Sequence, residues 1–299
     1  MTMIFGFPGY ETLTQAIAAH ISASEGMVTI RHFPDGESYV RIETPVTGQD
    51  VIIVCGLDHP DTKAMALLFF AQTAREMGAV NVGVICPYLG YMRQDKRFHE
   101  GEAVTSTIFA QLLSCYFDWL ITVDPHLHRH TSMDEIYTLQ SMVVHAADTV
   151  AAWIKNNISK PILIGPDEES RQWVTDIATK ANAPCMVLTK IRRGDNDVEV
   201  SIPELEAYRH HTPVLIDDII STAHTMIETV KHLHQAHMLP AICIGIHAVF
   251  AQNAYNDLLH SGVERIITCD TIPHASNGIN ISQAIASAYL TGRKTLGLD

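Results

Sequence analysis

Positively charged residues are scarce in this sequence. Lysine and arginine together number 20, against 33 aspartates and glutamates, so the 299-residue chain has a formal net charge of −13 with histidine neutral. Proteins that bind nucleic acid need a basic surface that neutralises phosphates. The composition therefore argues against nucleic acid as a partner.

Long apolar runs are missing as well. The longest, residues 64–71 and 241–251, fall short of the roughly 20 residues that a membrane-spanning helix needs. No lysine or arginine precedes Arg31, so the positively charged start of a secretory signal is absent. We expect a cytoplasmic protein without membrane segments.

Cysteines with the spacing of metal sites are also lacking. The six cysteines lie far apart, and no two of them form a C-x-x-C motif. Most stand inside apolar runs, which is typical of buried thiols in a reducing compartment. Neither a disulfide framework nor a cysteine-bound metal is expected.

The sequence is rich in hydrophobic residues, at 47%, and they alternate between short apolar runs and longer segments of helical period. This alternation predicts parallel sheets covered by helices on both faces. The predicted strands are 27–31, 51–55, 80–86, 119–123, 162–165, 185–188, 214–217, 241–247 and 265–269. The predicted helices are 11–21, 61–77, 103–116, 142–156, 170–182, 223–237, 253–261 and 281–290.

A polar segment near the middle of the chain predicts two domains. Residues 155–161 end in proline directly before a new apolar strand, as interdomain linkers often do. We predict an N-terminal domain over 1–153 and a C-terminal domain over 154–273. The last helix, 281–290, is expected to pack back on the N-terminal domain.

The segment most informative about chemistry is VLIDDIISTAHTM at 214–226, an apolar strand followed by two carboxylates and a helix start. In parallel sheets, ligands bind beyond the carboxyl ends of strands, and N–H groups at a helix start hold phosphates. Thr222 and Thr225 would add hydroxyl donors, while Asp217 and Asp218 suit sugar hydroxyls or a metal ion. A strand that simply ends in polar residues before a threonine N-cap is the structural alternative.

This segment resembles the phosphoribosyltransferase-type loop of ribose-phosphate pyrophosphokinases. Other segments resemble the same family in the same order, from about residue 30 to residue 273. The likeness implies two phosphoribosyltransferase-like, Rossmann-type α/β domains, each a mainly parallel sheet flanked by helices. The matching segments are FPDGESYVRI (33–42), PYLGYMRQDKR (87–97), GEAVT (101–105), TVDPH (122–126), GPD (165–167), KIR (190–192) and HAVF (247–250).

The resemblance implies an enzyme that transfers the β,γ-diphosphoryl group of ATP to the 1-hydroxyl of ribose 5-phosphate. It also implies Mg²⁺ as cofactor and a homo-oligomer whose ATP site is shared between subunits. The implied catalytic residues are Lys190 and Arg192 on a mobile basic loop, and the implied metal ligands are His126 and Asp167. The implied ATP-binding residues are Phe33, Asp35 and Glu37 from a neighbouring subunit, with Arg93, Gln94 and Asp95. The implied ribose-5-phosphate-binding residues are Asp217, Asp218, Ser221, Thr222, Ala223, His224 and Thr225.

Several residues depart from the family pattern. Ser221 stands where aspartate is usual, which weakens a ribose contact. His224 replaces a glycine, so its side chain either needs a tolerated dihedral or crowds the phosphate, unless its imidazolium contacts that group. Pro125 replaces a leucine, and Glu168 with Glu169 adds negative charge beside the predicted metal.

Two other functions stay open. A noncatalytic regulatory homologue would keep the fold and associate with an active synthetase, and Ser221 and His224 favour it. A phosphoribosyltransferase would consume phosphoribosyl pyrophosphate and would not need the ATP-binding segments. Each motif alone is more often structural, and only their collinear occurrence favours the synthetase.

Overall fold

A computed structural model describes residues 1–127, 129–166, 170–188, 191–192, 198–199 and 205–298 of the chain. It divides into two compact units: Met1–His145 with Ile281–Asp299, and Ala146–Asn280. No helix in the described part of the protein is long and apolar enough to cross a membrane.

The first unit is built around a six-stranded parallel sheet with the strand order β2-β1-β5-β6-β7-β8. Between β2 and β5, the chain forms a separate antiparallel hairpin of β3 and β4. The elements are β1 (Thr2–Gly6), α1 (Glu11–Ile21), β2 (Ser24–Glu25), β3 (Val28–His32), β4 (Ser38–Ile42), β5 (Asp50–Val54), α2 (Ala64–Glu76), β6 (Asn81–Cys86), α3 (Thr105–Tyr116), β7 (Trp119–Val123), β8 (Gln140–Val144) and, from the end of the chain, α8 (Ser282–Gly292).

The second unit repeats this arrangement with a parallel sheet of order β10-β9-β13-β14-β15-β16. Strands β11 and β12 lie between β10 and β13 in the sequence and form a short antiparallel pair of their own. The elements are α4 (Ala147–Asn157), β9 (Pro161–Gly165), α5 (Arg171–Ala181), β10 (Cys185–Val187), β11 (Ile191–Arg192), β12 (Val198–Glu199), β13 (Thr212–Ile219), α6 (His224–Gln235), β14 (Ile242–His247), α7 (Ala254–His260), β15 (Arg265–Cys269) and β16 (Asn277–Ile279).

The two parallel sheets confirm the predicted α/β fold class. When only the six strands of each large sheet are numbered along the chain, both units have the order 2-1-3-4-5-6. In both units a separate antiparallel strand pair follows the second of these strands in the sequence. Strands such as β7 are buried at every position, because helices cover both faces of a parallel sheet. One architecture therefore occurs twice in this chain.

Helix α8 belongs to the first unit because it packs on α1, β7 and β8. The Tyr289 ring of α8 lies 5.7 Å from the Trp119 ring of β7. Trp119 in turn occupies the space above Gly83 of β6, where a Cβ atom would approach its ring to 1.9 Å. The end of the chain thus completes the core around β7.

Some predicted elements differ from the observed ones. The predicted helix 142–156 begins only at Ala147, because residues 140–144 form β8 and pair with β7. The predicted strand 27–31 is β3 of the hairpin, not a strand of the main sheet. The boundary predicted between residues 153 and 154 lies inside α4, which packs on α5 and β16 and so stays with the second unit.

Candidate active site

The second sheet has a topological switch point between β9 and β13. From β9 the chain passes to β10 on one side, whereas β13 and the later strands lie on the other side. Loops that follow two such strands diverge and leave a crevice at their carboxyl ends, where ligands of this architecture bind. The residues that follow β13, Ile220–Ala223, form the loop of the motif; we call this segment the phosphate loop.

Main-chain hydrogen bonds tie the phosphate loop to the segment after β14. Ile220 N–H donates to the His247 carbonyl (3.1 Å), and Phe250 N–H donates to the Ile220 carbonyl (2.8 Å). Ala251 N–H donates to the Ser221 carbonyl (3.0 Å). The loop is therefore held in place before any ligand arrives.

The phosphate loop ends at a helix start where no side chain of the described residues makes a capping hydrogen bond. The N-cap of α6 is Ala223, and Ile227 N–H makes the first intrahelical bond to its carbonyl (2.9 Å). The N–H groups of His224, Thr225 and Met226 precede that bond and point toward the N-terminal end of the helix. Groups arranged in this way favour a nearby anion, by their direction and by the helix dipole.

Ala223, and not His224, has the left-handed backbone, with φ 58° and ψ 6°. His224 is exposed and begins α6 with no positive φ, so it does not need the unusual dihedral that its substitution for glycine suggested. The backbone strain of the loop falls on the buried Ala223 instead.

Replacing Ala223 with glycine is expected to raise the free energy of unfolding by about 1 kcal/mol, because glycine adopts this conformation without a Cβ clash. Thermal or denaturant unfolding measures the change. The matched control is Ala236→Gly at the end of the same helix, where φ is −80° and glycine should not stabilise. An Ala223→Gly protein no more stable than the parent would contradict the assignment of strain.

Asp217 and Asp218 lie half-buried at the carboxyl end of β13. One oxygen of each carboxylate accepts the N–H of the next residue: Asp218 N–H to Asp217 Oδ1 (3.0 Å) and Ile219 N–H to Asp218 Oδ1 (2.8 Å). These bonds orient both carboxylates beside the phosphate loop. Ser221 and Thr225 are half-buried and Thr222 is exposed, so the predicted sugar-phosphate residues converge on one loop.

His247 is a supporting residue to which the sequence assigned no role. Its side chain is buried, and its Nδ1 lies 2.9 Å from the Thr271 hydroxyl. Thr271 donates its own hydrogen to the Ile246 carbonyl (2.8 Å), so Nδ1 of His247 must be the donor of that pair. This network fixes the end of β14, to which the phosphate loop is tied. A histidine that ends a long apolar run was the available signal.

An aromatic cluster lies behind the same loop segment. The Phe250 ring lies 4.7 Å from the His274 ring and 5.2 Å from the Tyr255 ring. Burial lowers the pKa of His274, which stays neutral and accepts the Ser276 N–H at Nδ1 (3.1 Å). The cluster supports Phe250, whose N–H holds the phosphate loop.

The predicted hairpin residues of the first unit lie at the tip of β3–β4. Phe33 N–H donates to the Glu37 carbonyl (2.8 Å), and Gly36 closes the turn with φ 94°. Asp35 Oδ1 accepts the Glu37 N–H (3.2 Å). Phe33, Asp35 and Glu37 are thus brought together on one exposed turn.

The segment after β6 contains Arg93, Gln94 and Asp95. Arg93 is exposed, whereas the Gln94 carbonyl accepts Ser106 N–H (3.3 Å) near the start of α3. The Asp95 carboxylate is largely buried and pairs with Arg129 (3.3 Å). Asp95 therefore organises its own loop.

His126 follows β7 and is half-buried. Asp124, two residues before it, has a φ of 32°, and the Asp124 carboxylate lies 2.9 Å from Nδ1 of His145.

Asp167 and Lys190 lie outside the described residues, and Arg192 is described only as the backbone of β11. Within the described ranges, no three histidine, cysteine, aspartate or glutamate side chains are grouped to hold a metal.

At the corresponding switch point of the first sheet, side chains that follow β1 and β5 pair with one another. The buried Tyr10 hydroxyl donates to Asp58 (2.7 Å), and Lys63 pairs with the same carboxylate (2.6 Å). Burial and Asp58 raise the pKa of Tyr10 far above its usual range, so its hydroxyl stays protonated. The side chains that follow β1 and β5 are thus engaged with one another.

Comparisons with known proteins match nearly the whole chain. Residues 2–116 match the model of the N-terminal domain of ribose phosphate pyrophosphokinase, and residues 132–283 match the phosphoribosyl transferase domain. The ribose-phosphate pyrophosphokinase of Sulfurisphaera tokodaii is 32% identical over 286 residues, covering 92% of this chain and 97% of that protein. That of Methanopyrus kandleri is 33% identical over 281 residues, with coverages of 92% and 94%.

A solved structure has the same fold. Phosphoribosylpyrophosphate synthetase from Mycobacterium smegmatis matches with a TM-score of 0.83 at 20% sequence identity, covering 98% of this chain and 99% of that one.

Proposed function

Because the chain belongs to the ribose-phosphate pyrophosphokinase family, we propose that it transfers the β,γ-diphosphoryl group of ATP to the 1-hydroxyl of ribose 5-phosphate. The products are phosphoribosyl pyrophosphate and AMP. The observation that carries the proposal is the phosphate loop, with two oriented carboxylates before it and an uncapped helix start after it.

The phosphate loop is the proposed ribose 5-phosphate site. The N–H groups at the start of α6, with Thr222 and Thr225, suit the 5-phosphate. Asp217 and Asp218 suit the ribose hydroxyls, which are hydrogen-bond donors to carboxylates. The Ser221 side chain is shorter than the aspartate of the family pattern and carries no charge, so it makes the weakest contact of the set.

The proposed ATP residues belong to the first unit. The exposed ring of Phe33 is suited to stack on adenine, and Asp35 and Glu37 are suited to accept hydrogen bonds from its amino group. Arg93 and Gln94 are assigned to the phosphates, for which the exposed guanidinium is well matched. Asp95 supports these two residues through its pair with Arg129.

The transfer needs little covalent help from the protein. The 1-hydroxyl oxygen attacks the β-phosphorus as the bond to AMP breaks, its proton passes to solvent water, and negative charge builds up on the phosphoryl oxygens. Lys190 and Arg192 are proposed to meet that charge, which makes them the catalytic residues. Positioning and charge neutralisation are then the main contributions of the chain.

We assign Mg²⁺ as cofactor, with His126 and Asp167 as its protein ligands. Mg²⁺ usually keeps several waters and uses one or two side chains together with substrate phosphates, so a small donor set suits it. When bound, it would neutralise phosphate charge on ATP.

We also assign the protein to the cytoplasm. We assign it as a homo-oligomer in which Phe33, Asp35 and Glu37 serve the ATP site of a neighbouring subunit.

The test is release of AMP by the purified chain at several Mg²⁺ concentrations, with and without ribose 5-phosphate. We expect release that requires both the sugar phosphate and Mg²⁺. No release under any condition would favour the noncatalytic homologue. Pyrophosphate release from phosphoribosyl pyrophosphate that depends on a nucleobase would favour the phosphoribosyltransferase.

A further inference from the structure

One face of the β3–β4 hairpin contains a cation held by two aromatic rings. The Arg31 guanidinium carbon lies 4.3 Å from the centre of the Tyr39 ring and 4.8 Å from that of Phe33. The two rings are 5.8 Å apart and nearly perpendicular, at 89°. The guanidinium therefore occupies the angle between them.

The strand register explains why these three side chains meet. Arg31 lies directly opposite Tyr39 in the antiparallel pair. Phe33 is two residues beyond Arg31, so its side chain emerges on the same face. Cross-strand neighbours of this kind lie within reach of one another.

Arg31 makes no ion pair with any residue in the part of the chain that the structure describes, and its guanidinium lies over the two rings. Phe33 remains 40% exposed, so part of its surface is still open to a ligand. Tyr39 is half-buried and is anchored within β4. The guanidinium thus links an anchored ring to an exposed one.

We propose that Arg31 is a positioning residue for the nucleotide: clamped on Tyr39, it holds the Phe33 ring in the orientation that stacks on adenine. The inference rests on the proposed function, because that function assigns adenine to Phe33. An exposed phenylalanine otherwise samples several rotamers and must be ordered when the ligand binds. Ordering the ring in advance removes that cost from binding.

The experiment compares Arg31→Met, which keeps length but removes the planar cation, with Arg41→Met as matched control. Arg41 is an exposed arginine two residues from Tyr39 and on the same face, opposite Thr29. We expect Arg31→Met to raise the KM for ATP about fivefold, with kcat and the KM for ribose 5-phosphate unchanged. Arg31→Lys should recover part of the loss, and Arg41→Met should leave all three constants unchanged.

A double-mutant cycle separates positioning from direct phosphate contact. If Arg31 acts through the ring, Arg31→Met should add nothing in a Phe33→Ala background. Calorimetry with a non-hydrolysable ATP analogue gives the binding constants of the four proteins. A further loss of affinity in the double variant would overturn the proposal, as would equal losses from Arg31→Met and Arg41→Met.

The Phe33→Ala variant also separates a failure of this inference from a failure of the proposed function on which it rests. Lost ATP affinity in Phe33→Ala with full affinity in Arg31→Met overturns the positioning role alone. Full affinity in both variants overturns the assignment of adenine to Phe33 together with the role of Arg31. Circular dichroism of each variant checks that the hairpin substitutions leave the fold intact.

Discussion

Replacing Lys190 with alanine is expected to slow AMP release about 100- to 1,000-fold, which is the usual loss when one preorganised charge is removed from a developing oxyanion. Lys190 lies outside the described residues, directly before β11. The charge that it is proposed to neutralise grows only as the bond to AMP breaks. The loss should therefore fall on kcat, while the KM values for both substrates stay within a few-fold.

The matched control for this variant is Lys180→Ala in α5. Lys180 is a lysine of the same unit, and its ammonium pairs with Asp176 and Asp148 at the surface. No contact with a substrate phosphate is proposed for it. Exposed pairs of this kind contribute little to stability, so its turnover should equal that of the parent. Steady-state rates at saturating substrates decide the matter, and a Lys190→Ala protein with parental turnover would remove Lys190 from the mechanism.

Replacing Asp217 and Asp218 together with alanine is expected to raise the KM for ribose 5-phosphate about 100-fold or more. Each carboxylate is proposed to accept at least one ribose hydroxyl, and a hydrogen bond to a charged group contributes about 1.5–3 kcal/mol. Two lost bonds then give at least this factor, at 1.4 kcal/mol per tenfold. The affinity for ATP should hardly change, because its proposed residues belong to the first unit.

Calorimetric titration with ribose 5-phosphate measures the loss directly. The fold should survive, since these half-buried carboxylates accept the N–H of the adjacent residue at the end of a strand. Asp257→Ala, the loss of an exposed aspartate of α7, is the control for removing a carboxylate from the same unit outside the proposed site. Parental affinity in the double variant would mean that the sugar binds elsewhere.

The helices were the most predictable part of the fold. The range 11–21 agrees with α1 at both ends, and 103–116 differs from α3 by two residues at its start. Their apolar spacing and polar borders are local signals that survive in the tertiary structure. Strands at sheet edges carry weaker signals, because β2 and β16 are only two and three residues long and each pairs with a single neighbour.

β8 shows where local reasoning fails. Residues 142–144 continue the apolar pattern of the following helix, so the sequence favours one long helix from residue 142. Pairing with the fully buried β7 makes them a strand instead, and the helix begins three residues after β8 ends. A nonlocal hydrogen-bond ladder overrides the helical period.

Most residues of the candidate site were identified from residue types and their order in the sequence. The residues that hold its loop in place were not identified in this way. The aspartates, hydroxyls and helix start of 214–226 were visible, because the chemistry of a phosphate loop depends on a contiguous segment. The sequence left open which residue of the loop is left-handed, since a dihedral depends on how the loop closes onto the segment after β14.

The amino-acid order alone therefore determined the α/β class, the repeated strand-helix units and the segment proposed to hold a sugar phosphate, because each of these follows from local periodicity and side-chain chemistry. Tertiary structure decided that Tyr10, Asp58 and Lys63 meet at the switch point of the first sheet. It also decided that Arg31 lies between two rings, and that α8 returns to β7. These outcomes depend on partners distant in the chain or across a strand pair, and only packing brings such partners together.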